Sequence, residues 1–308
     1  ITFGFAYNSV QSNTICLAWQ KAFGIDPATM GIVLTLLTLL IIFGGIQRVA
    51  KFSSTVVPVM AIIYLLIAVG VVIWNITCLP QVLLTIVENA FGFNQAAGGV
   101  LGVTVIQGIK RGLFSNEAGE GSAPNAAAAA TVSHPVKQGL IQALGVFTDT
   151  LVVCSCTAFI ILVSGVDVTA SNGIQLTQDA LTHEIGSIGN PFVAVMIWLF
   201  AFSSIIGNYY YGETNVRYIK DSKLGVFIYR LAVAAMVMIG AVVSLDFAWS
   251  FADITMALLT LCNLVAIVLL SRQAVFLLQD YRQQKKEGKN PVFSKDKMPE
   301  IADQLEAW

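Results

Sequence analysis

GVLGVTVIQGIKRGLFSNEAGEGSAPNAAAAAT, residues 99–131, is the stretch on which the fold turns. Its flanks are apolar or alanine-rich and helix-forming. Its centre, Ser115-Asn116-Glu117-Ala118-Gly119-Glu120-Gly121-Ser122, is small, polar and helix-breaking. Gly108 and Gly112 precede that centre and Pro124 follows it. The element, taken as 96–133, is too long and too interrupted for a simple span. It has the pattern of two half-helices meeting at an unwound centre. A half-helix starting near Ser122 offers free N–H groups and a positive dipole end, which suit a carboxylate. The end of the preceding half offers free carbonyls, which suit a cation or an ammonium group. Membrane transporters place such breaks at the bilayer midplane for this purpose. Ser115, Asn116, Gly119, Gly121 and Ser122 are therefore candidate substrate-binding residues. The alternative is a re-entrant turn or a plain loop between two short spans.

The rest of the chain supports a membrane setting. Of 308 residues 56% are hydrophobic and 11% charged, against about 25% charged in a soluble domain. Mean hydropathy is +0.76. The apolar residues fall in blocks of about 20, the length that crosses a hydrocarbon core about 30 Å thick. Eight segments are expected: 1–23, 29–47, 54–78, the broken 96–133, 137–164, 191–212, 224–245 and 248–271. An amphipathic surface stretch is expected at 80–94. The Thr/Asn/Gly-rich loop 165–190 is expected outside the bilayer. The transmembrane bundle thus occupies 1–271, and 272–308 is expected as a solvated tail. The blocks lack the period-two alternation of a membrane barrel, so the fold class is all-α and polytopic. The chain opens at Ile1 within an apolar-polar helical pattern, which is read as a fragment lacking its natural N-terminus.

Charge placement is an independent check on that count. Arg48 and Lys51 follow the second segment, Lys137 the fourth, Arg217, Lys220 and Lys223 the sixth. Arg272, Arg282, Lys285, Lys286 and Lys289 follow the eighth. The opposite joints carry Asp26, Glu88, Asp167, Asp179, Glu184 and Asp246, with Lys21 near them. Basic joints alternate sides and mark the cytoplasm, so the C-terminus is expected there, in a cell membrane. Two full spans in place of the broken element would reverse the alternation downstream.

Other chemistry is sparse. Cys16, Cys78, Cys154, Cys156 and Cys262 lie in or beside apolar blocks without metal-type spacing, and are taken as packing residues. His134 and His183 fall in joints on opposite sides, which argues against an enzyme. A net charge of −1 without a basic stripe argues against nucleic acid as a partner. Lys110, Arg111, Glu117, Glu120 and Asp149 are intramembrane charges. They are either a salt-bridge cluster or an ion or proton relay. Asp253 is assigned no role. Ser203 and Ser204 are adjacent hydroxyls in an apolar segment, and their bland reading is a bond back to the preceding turn. Asn8 and Gln11 share a helix face, and amides so placed can serve as glue between helices.

From Gly108 to Pro124, and on through the fifth segment, the sequence resembles the alanine-or-glycine:cation symporter family. The resemblance also covers FAYNSVQSNTI near the start and FSSIIGNYYYGETN in the sixth segment. It implies an inverted-repeat fold of the leucine-transporter type, within the amino acid–polyamine–organocation superfamily, with the eight segments as core helices three to ten. It implies alternating-access symport of alanine or glycine, with a sodium ion as the coupling ion and no organic cofactor. Ser203 and Ser204 would then serve a sodium ion. Gln11 would line the substrate pocket, and Asn208, one turn beyond Ser204, would face it. Proton coupling through Asp149 or Glu117 is the alternative, and an ion channel a more distant one.

Overall fold

The computed structural model describes the backbone of residues 1–44, 46–91 and 98–305. Within these it describes all side chains but those of 46–54, 56, 98–104 and 304. The expected start of the broken element at 96–97 lies outside the described residues, as do residue 45 of the second segment and the 92–94 end of the amphipathic stretch. Among the described residues every regular element is helical. Twelve α-helices are described: α1 Asn8–Phe23, α2 Pro27–Ile42, α3 Ile46–Trp74, α4 Leu79–Ala90, α5 Gly98–Asn116, α6 Ser122–Ala128, α7 Pro135–Phe147, α8 Ser155–Ser164, α9 Ile174–Ile185, α10 Gly189–Ile219, α11 Lys223–Val242 and α12 Leu245–Lys286. A π-helical stretch, Thr2–Tyr7, leads into α1, and another, Thr148–Cys154, joins α7 to α8.

Among the described residues five runs are long and apolar enough to cross a membrane: Val57–Trp74, Pro135–Ser164, Ile174–Ile219, Lys223–Val242 and Leu245–Lys286. Pro27–Ile42 is a shorter apolar helix. Local chemistry sets the ends. Asp26 Oδ2 accepts the Ala28 N–H at 3.0 Å and the Thr29 N–H at 3.3 Å, with Pro27 in the first helical position. Ser222 Oγ accepts the Gly225 N–H and opens α11. Gly24, at φ 68°, closes α1.

The chain forms two compact units. The first comprises Ile1–Ser115 and Thr150–Ala257, the second Asn116–Asp149 and Leu258–Trp308. Within the first, Ile15, Leu34, Phe202, Ile206, Val233 and Val237 make one buried cluster among α1, α2, α10 and α11. Met60, Ala68, Ile160, Leu181 and Val193 make a second among α3, α8, α9 and α10. Helix α1 is fastened to α11 by side chains. Ser12 Oγ donates to the Val237 carbonyl at 2.6 Å, and Asn13 Nδ2 donates to the Gly240 and Val243 carbonyls at 3.0 and 2.8 Å. The backbones are so close that a β-carbon at Gly240 would stand 2.5 Å from Ser9 Cα. Small residues at a helix crossing permit that approach where lipid supplies no hydrophobic drive.

The 165–190 segment, expected as a loop outside the bilayer, is partly helical. It contains α9, whose Thr177, Gln178 and Leu181 are buried on one face. Gln178 Nε2 donates to the Ala18 carbonyl at 2.9 Å, and Lys21 Nζ meets Asp179 Oδ1 at 2.5 Å. The polar composition hid a 3.6-residue period in which amides substitute for apolar groups.

The 272–308 tail is also partly ordered. Helix α12 runs on to Lys286. Its 42 residues measure about 63 Å, twice the hydrocarbon thickness, so its distal part projects beyond the membrane. After Gly288 the chain turns back. Phe293, 5% exposed, donates its N–H to the Ser133 carbonyl at 2.9 Å and packs against the His134 ring. Lys137 Nζ donates to Asn290 Oδ1 at 2.7 Å. Asp280 of α12 receives Lys297 Nζ at 2.7 Å and lies 3.2 Å from His134 Nε2. Because His134 Nδ1 accepts the Val136 N–H, the neutral ring carries its proton on Nε2 and donates it to Asp280.

Candidate substrate and cation site

The interruption lies where the composition placed it. Helix α5 stops at Asn116 and α6 begins at Ser122. Three residues between them adopt positive φ: Glu117 at 50°, Gly119 at 88° and Gly121 at 96°. Among the described residues Glu117 is the one non-glycine residue in that region, a conformation that costs an L-residue about 1–2 kcal/mol. Local side chains hold the turn. Asn116 Oδ1 accepts the Ala118 N–H at 2.8 Å, and Asn125 Nδ2 donates to the Gly121 carbonyl at 2.8 Å. The Ser122 hydroxyl hydrogen-bonds the Glu117 carboxyl group. Ser122 is 3% exposed and Glu120 is fully buried.

A residue passed over in the sequence completes the arrangement. Asn263, in the middle of α12, donates Nδ2 to the Gly119 carbonyl at 2.8 Å. A β-carbon at Gly121 would lie 3.2 Å from the Asn263 amide carbon. Its signal was available, since Asn263 is a lone amide in the apolar run LLTLCNLVAIVLL. Three backbone groups of the turn are thus held by side chains: the Ala118 N–H by Asn116, the Gly119 carbonyl by Asn263 and the Gly121 carbonyl by Asn125.

The other expected residues belong to the first unit. Ser115 Oγ lies 3.0 Å from Cys154 Sγ, in the π-helical stretch after α7. Such stretches recur at functional sites. Gln11 is half-buried on α1, and Asn208, 5% exposed, lies on α10 against which α1 packs. Ser203 and Ser204 Oγ both donate to the Phe200 carbonyl, at 2.8 and 3.1 Å. Each hydroxyl spends its proton on the helix and keeps its lone pairs, which are what a hard cation needs. Asn13, by contrast, is committed to α11 as glue between helices.

The charged residues sort differently from the expected cluster. Within the first unit, Lys110 and Arg111 pair with Asp253 of α12, to which no role had been assigned. Arg111 Nη2 reaches the two Asp253 oxygens at 3.0 and 2.8 Å, and Lys110 Nζ stands 3.8 Å away. The Arg111 guanidinium lies 4.2 Å over the Trp249 ring, which in turn packs on Phe114. Asp149 lies in the first turn of the π-helical stretch. A second pair, Arg230 with Glu213 at 3.1 Å, joins α11 to α10, and the Tyr209 hydroxyl bonds Glu213.

The second unit thus carries a helix broken at fixed carbonyl and amide groups, and the first unit carries the adjacent hydroxyls of Ser203 and Ser204. Residues 1–295 match the family model described as the sodium:alanine symporter family. The chain belongs to that family. It is a family of transporters and not of enzymes, which fits an all-helical, multi-pass membrane protein. Among named relatives, the chain is 53% identical over 297 residues to a probable sodium/glutamine symporter of Bacillus subtilis, covering 96% of this chain and 62% of the relative. It is 52% identical over 308 residues to an amino-acid carrier protein of the same organism, covering 100% and 66%. It is 40% identical over 310 residues to a putative sodium/proton-dependent alanine carrier of that organism, covering 95% and 64%. The chain therefore spans a little under two thirds of the length of these relatives.

Proposed function

We propose that the protein is a secondary active symporter of small neutral amino acids, alanine or glycine, driven by sodium across the cell membrane. The interruption at 117–121, pinned by Asn263 at 2.8 Å, carries this reading. It keeps backbone donors and acceptors available inside an apolar setting, where unsatisfied groups are otherwise costly. The substrate carboxylate lies on the N–H groups leading into Ser122, and its ammonium group on the carbonyls and side-chain oxygens from Ser115 to Gly119. Gln11 and Asn208 add side-chain contacts. Ser203 and Ser204 contribute lone pairs to a sodium ion. Access alternates by rocking one bundle against another in a leucine-transporter-type inverted repeat, with the C-terminus in the cytoplasm.

Two observations favour specific variants. A carboxylic acid at Glu117 within the break, together with a relative named as sodium/proton-dependent, favours proton coupling. A relative named as a sodium/glutamine symporter favours glutamine as substrate. Uptake of labelled alanine by the whole protein in liposomes, with sodium and pH gradients imposed separately, separates the first pair. Competition by unlabelled glycine and glutamine separates the second. Accumulation indifferent to sodium removes the sodium assignment.

A further inference from the structure

The exposed face of α12 changes chemistry at one residue. Leu258, Leu261, Val265 and Val268 succeed one another at intervals of three and four, and all are more than half exposed. The next position in that register is Arg272. A stripe of that kind faces lipid, and a cation ending it sits at headgroup depth. There, the returning tail and α12 enclose a cavity of about 270 Å³. Arg272 and Lys297 line it as cations and Glu300 as an anion, with Phe276 and Ile301 as apolar walls. Arg272 has no ion-pair partner among the described residues, whereas Lys297 is shared with Asp280.

We propose that this cavity binds the headgroup of an anionic phospholipid, with an acyl chain along the Leu258–Val268 stripe. The phosphate takes Arg272 and the free side of Lys297. Phosphatidylglycerol carries a net negative charge, whereas phosphatidylcholine has the phosphate but no net charge. Basic pockets beside membrane helices are suited to such headgroups. Lys297 also holds Asp280, and Asp280 holds His134 at the joint before α7, so an occupied cavity reinforces the docked tail. The inference takes from the proposed function only the side of the membrane, and its test does not read transport.

The experiment is native mass spectrometry of the whole protein released from detergent, titrated with phosphatidylglycerol, phosphatidylcholine or inorganic phosphate. Phosphatidylglycerol is expected to bind in preference to phosphatidylcholine, with inorganic phosphate failing to displace it. Arg272→Gln weakens phosphatidylglycerol binding about fivefold, the effect of one basic group at an anionic surface. Arg282→Gln, outside the cavity, leaves it unchanged. Glu300→Gln tightens it, a gain that a folding defect cannot imitate. Equal binding of both lipids, displacement by inorganic phosphate, a stripe covered by a second copy of the chain instead of lipid, or an unchanged affinity in Arg272→Gln each overturns the proposal.

Discussion

The side-chain amide of Asn263 and the carbonyl of Gly119 are 2.8 Å apart, and this bond ties the midpoint of the last long helix to the break in the chain. The same side chain fills the space where a β-carbon at Gly121 would fall, 3.2 Å from its amide carbon. Gly121→Ala therefore meets two obstacles. Its φ of 96° costs an alanine about 1–2 kcal/mol, and Asn263 must move. The expected outcome is a lower melting temperature with uptake reduced at least tenfold. Asn263→Ala loses the bond, worth about 1 kcal/mol, and should reduce uptake more than it reduces stability. Thermal melts and initial uptake rates of both variants check this.

Ser203 and Ser204 make their bonds within their own helix, to Phe200. Their loss should leave the sodium-free melting temperature within about a degree, because intrahelical bonds of this type contribute little. If their lone pairs hold sodium, the Ser203→Ala, Ser204→Ala double variant raises the half-saturating sodium concentration about tenfold or more. It also abolishes the stabilisation by sodium that binding to the folded state alone produces. Unchanged sodium dependence removes the two ligands.

Arg111 and Asp253 form a two-toothed ion pair over Trp249. Their side chains are 40% and 21% exposed, so the loss on Asp253→Asn should be about 1–3 kcal/mol, below that of a fully buried pair. Arg111→Gln costs a similar amount and also removes the ring contact. Combining the two should cost less than their sum, because neither charge is then stranded. A double-mutant cycle on thermal stability measures that coupling.

Asp280 anchors the tail outside the membrane. Burial works to raise its pKa, but hydrogen bonds from Lys297, His134 and Gln284 outweigh it and hold the carboxyl below its ordinary 3.8. A depressed carboxyl contributes stability above the ordinary value and loses it as pH falls through the folded-state value. Tail docking should thus hold from neutral pH down to about 4 and weaken below that. Asp280→Asn should loosen the tail at neutral pH. Limited trypsin digestion at Lys289 and Lys295 reads this: faster cleavage in the variant is expected, and equal rates contradict it.

The broken element was legible because glycines and small polar residues in an apolar chain have few other uses. The break at 117–121 falls inside the polar centre Ser115–Ser122. What holds it was harder to see. Asn263 lies 144 residues away, and pairing over that distance leaves no local period. Asp253 was passed over for the same reason, since a carboxylate near a helix start looks solvated until Arg111 is brought to it. Helix α9 was missed because Gln178 and Thr177 occupy buried positions that apolar residues fill in soluble helices. The bond of Ser203 and Ser204 to Phe200 was foreseen as their bland use. It leaves their lone pairs open to a cation.

The central claim is that the backbone amides of the break grip the substrate. Hydrogen–deuterium exchange of residues 117–123, followed by mass spectrometry with and without alanine, tests it most directly. The account requires slower exchange in this segment when alanine and sodium are both present, and little change with alanine alone. Exchange there that stays the same at saturating alanine and sodium, while another segment is protected, would contradict it.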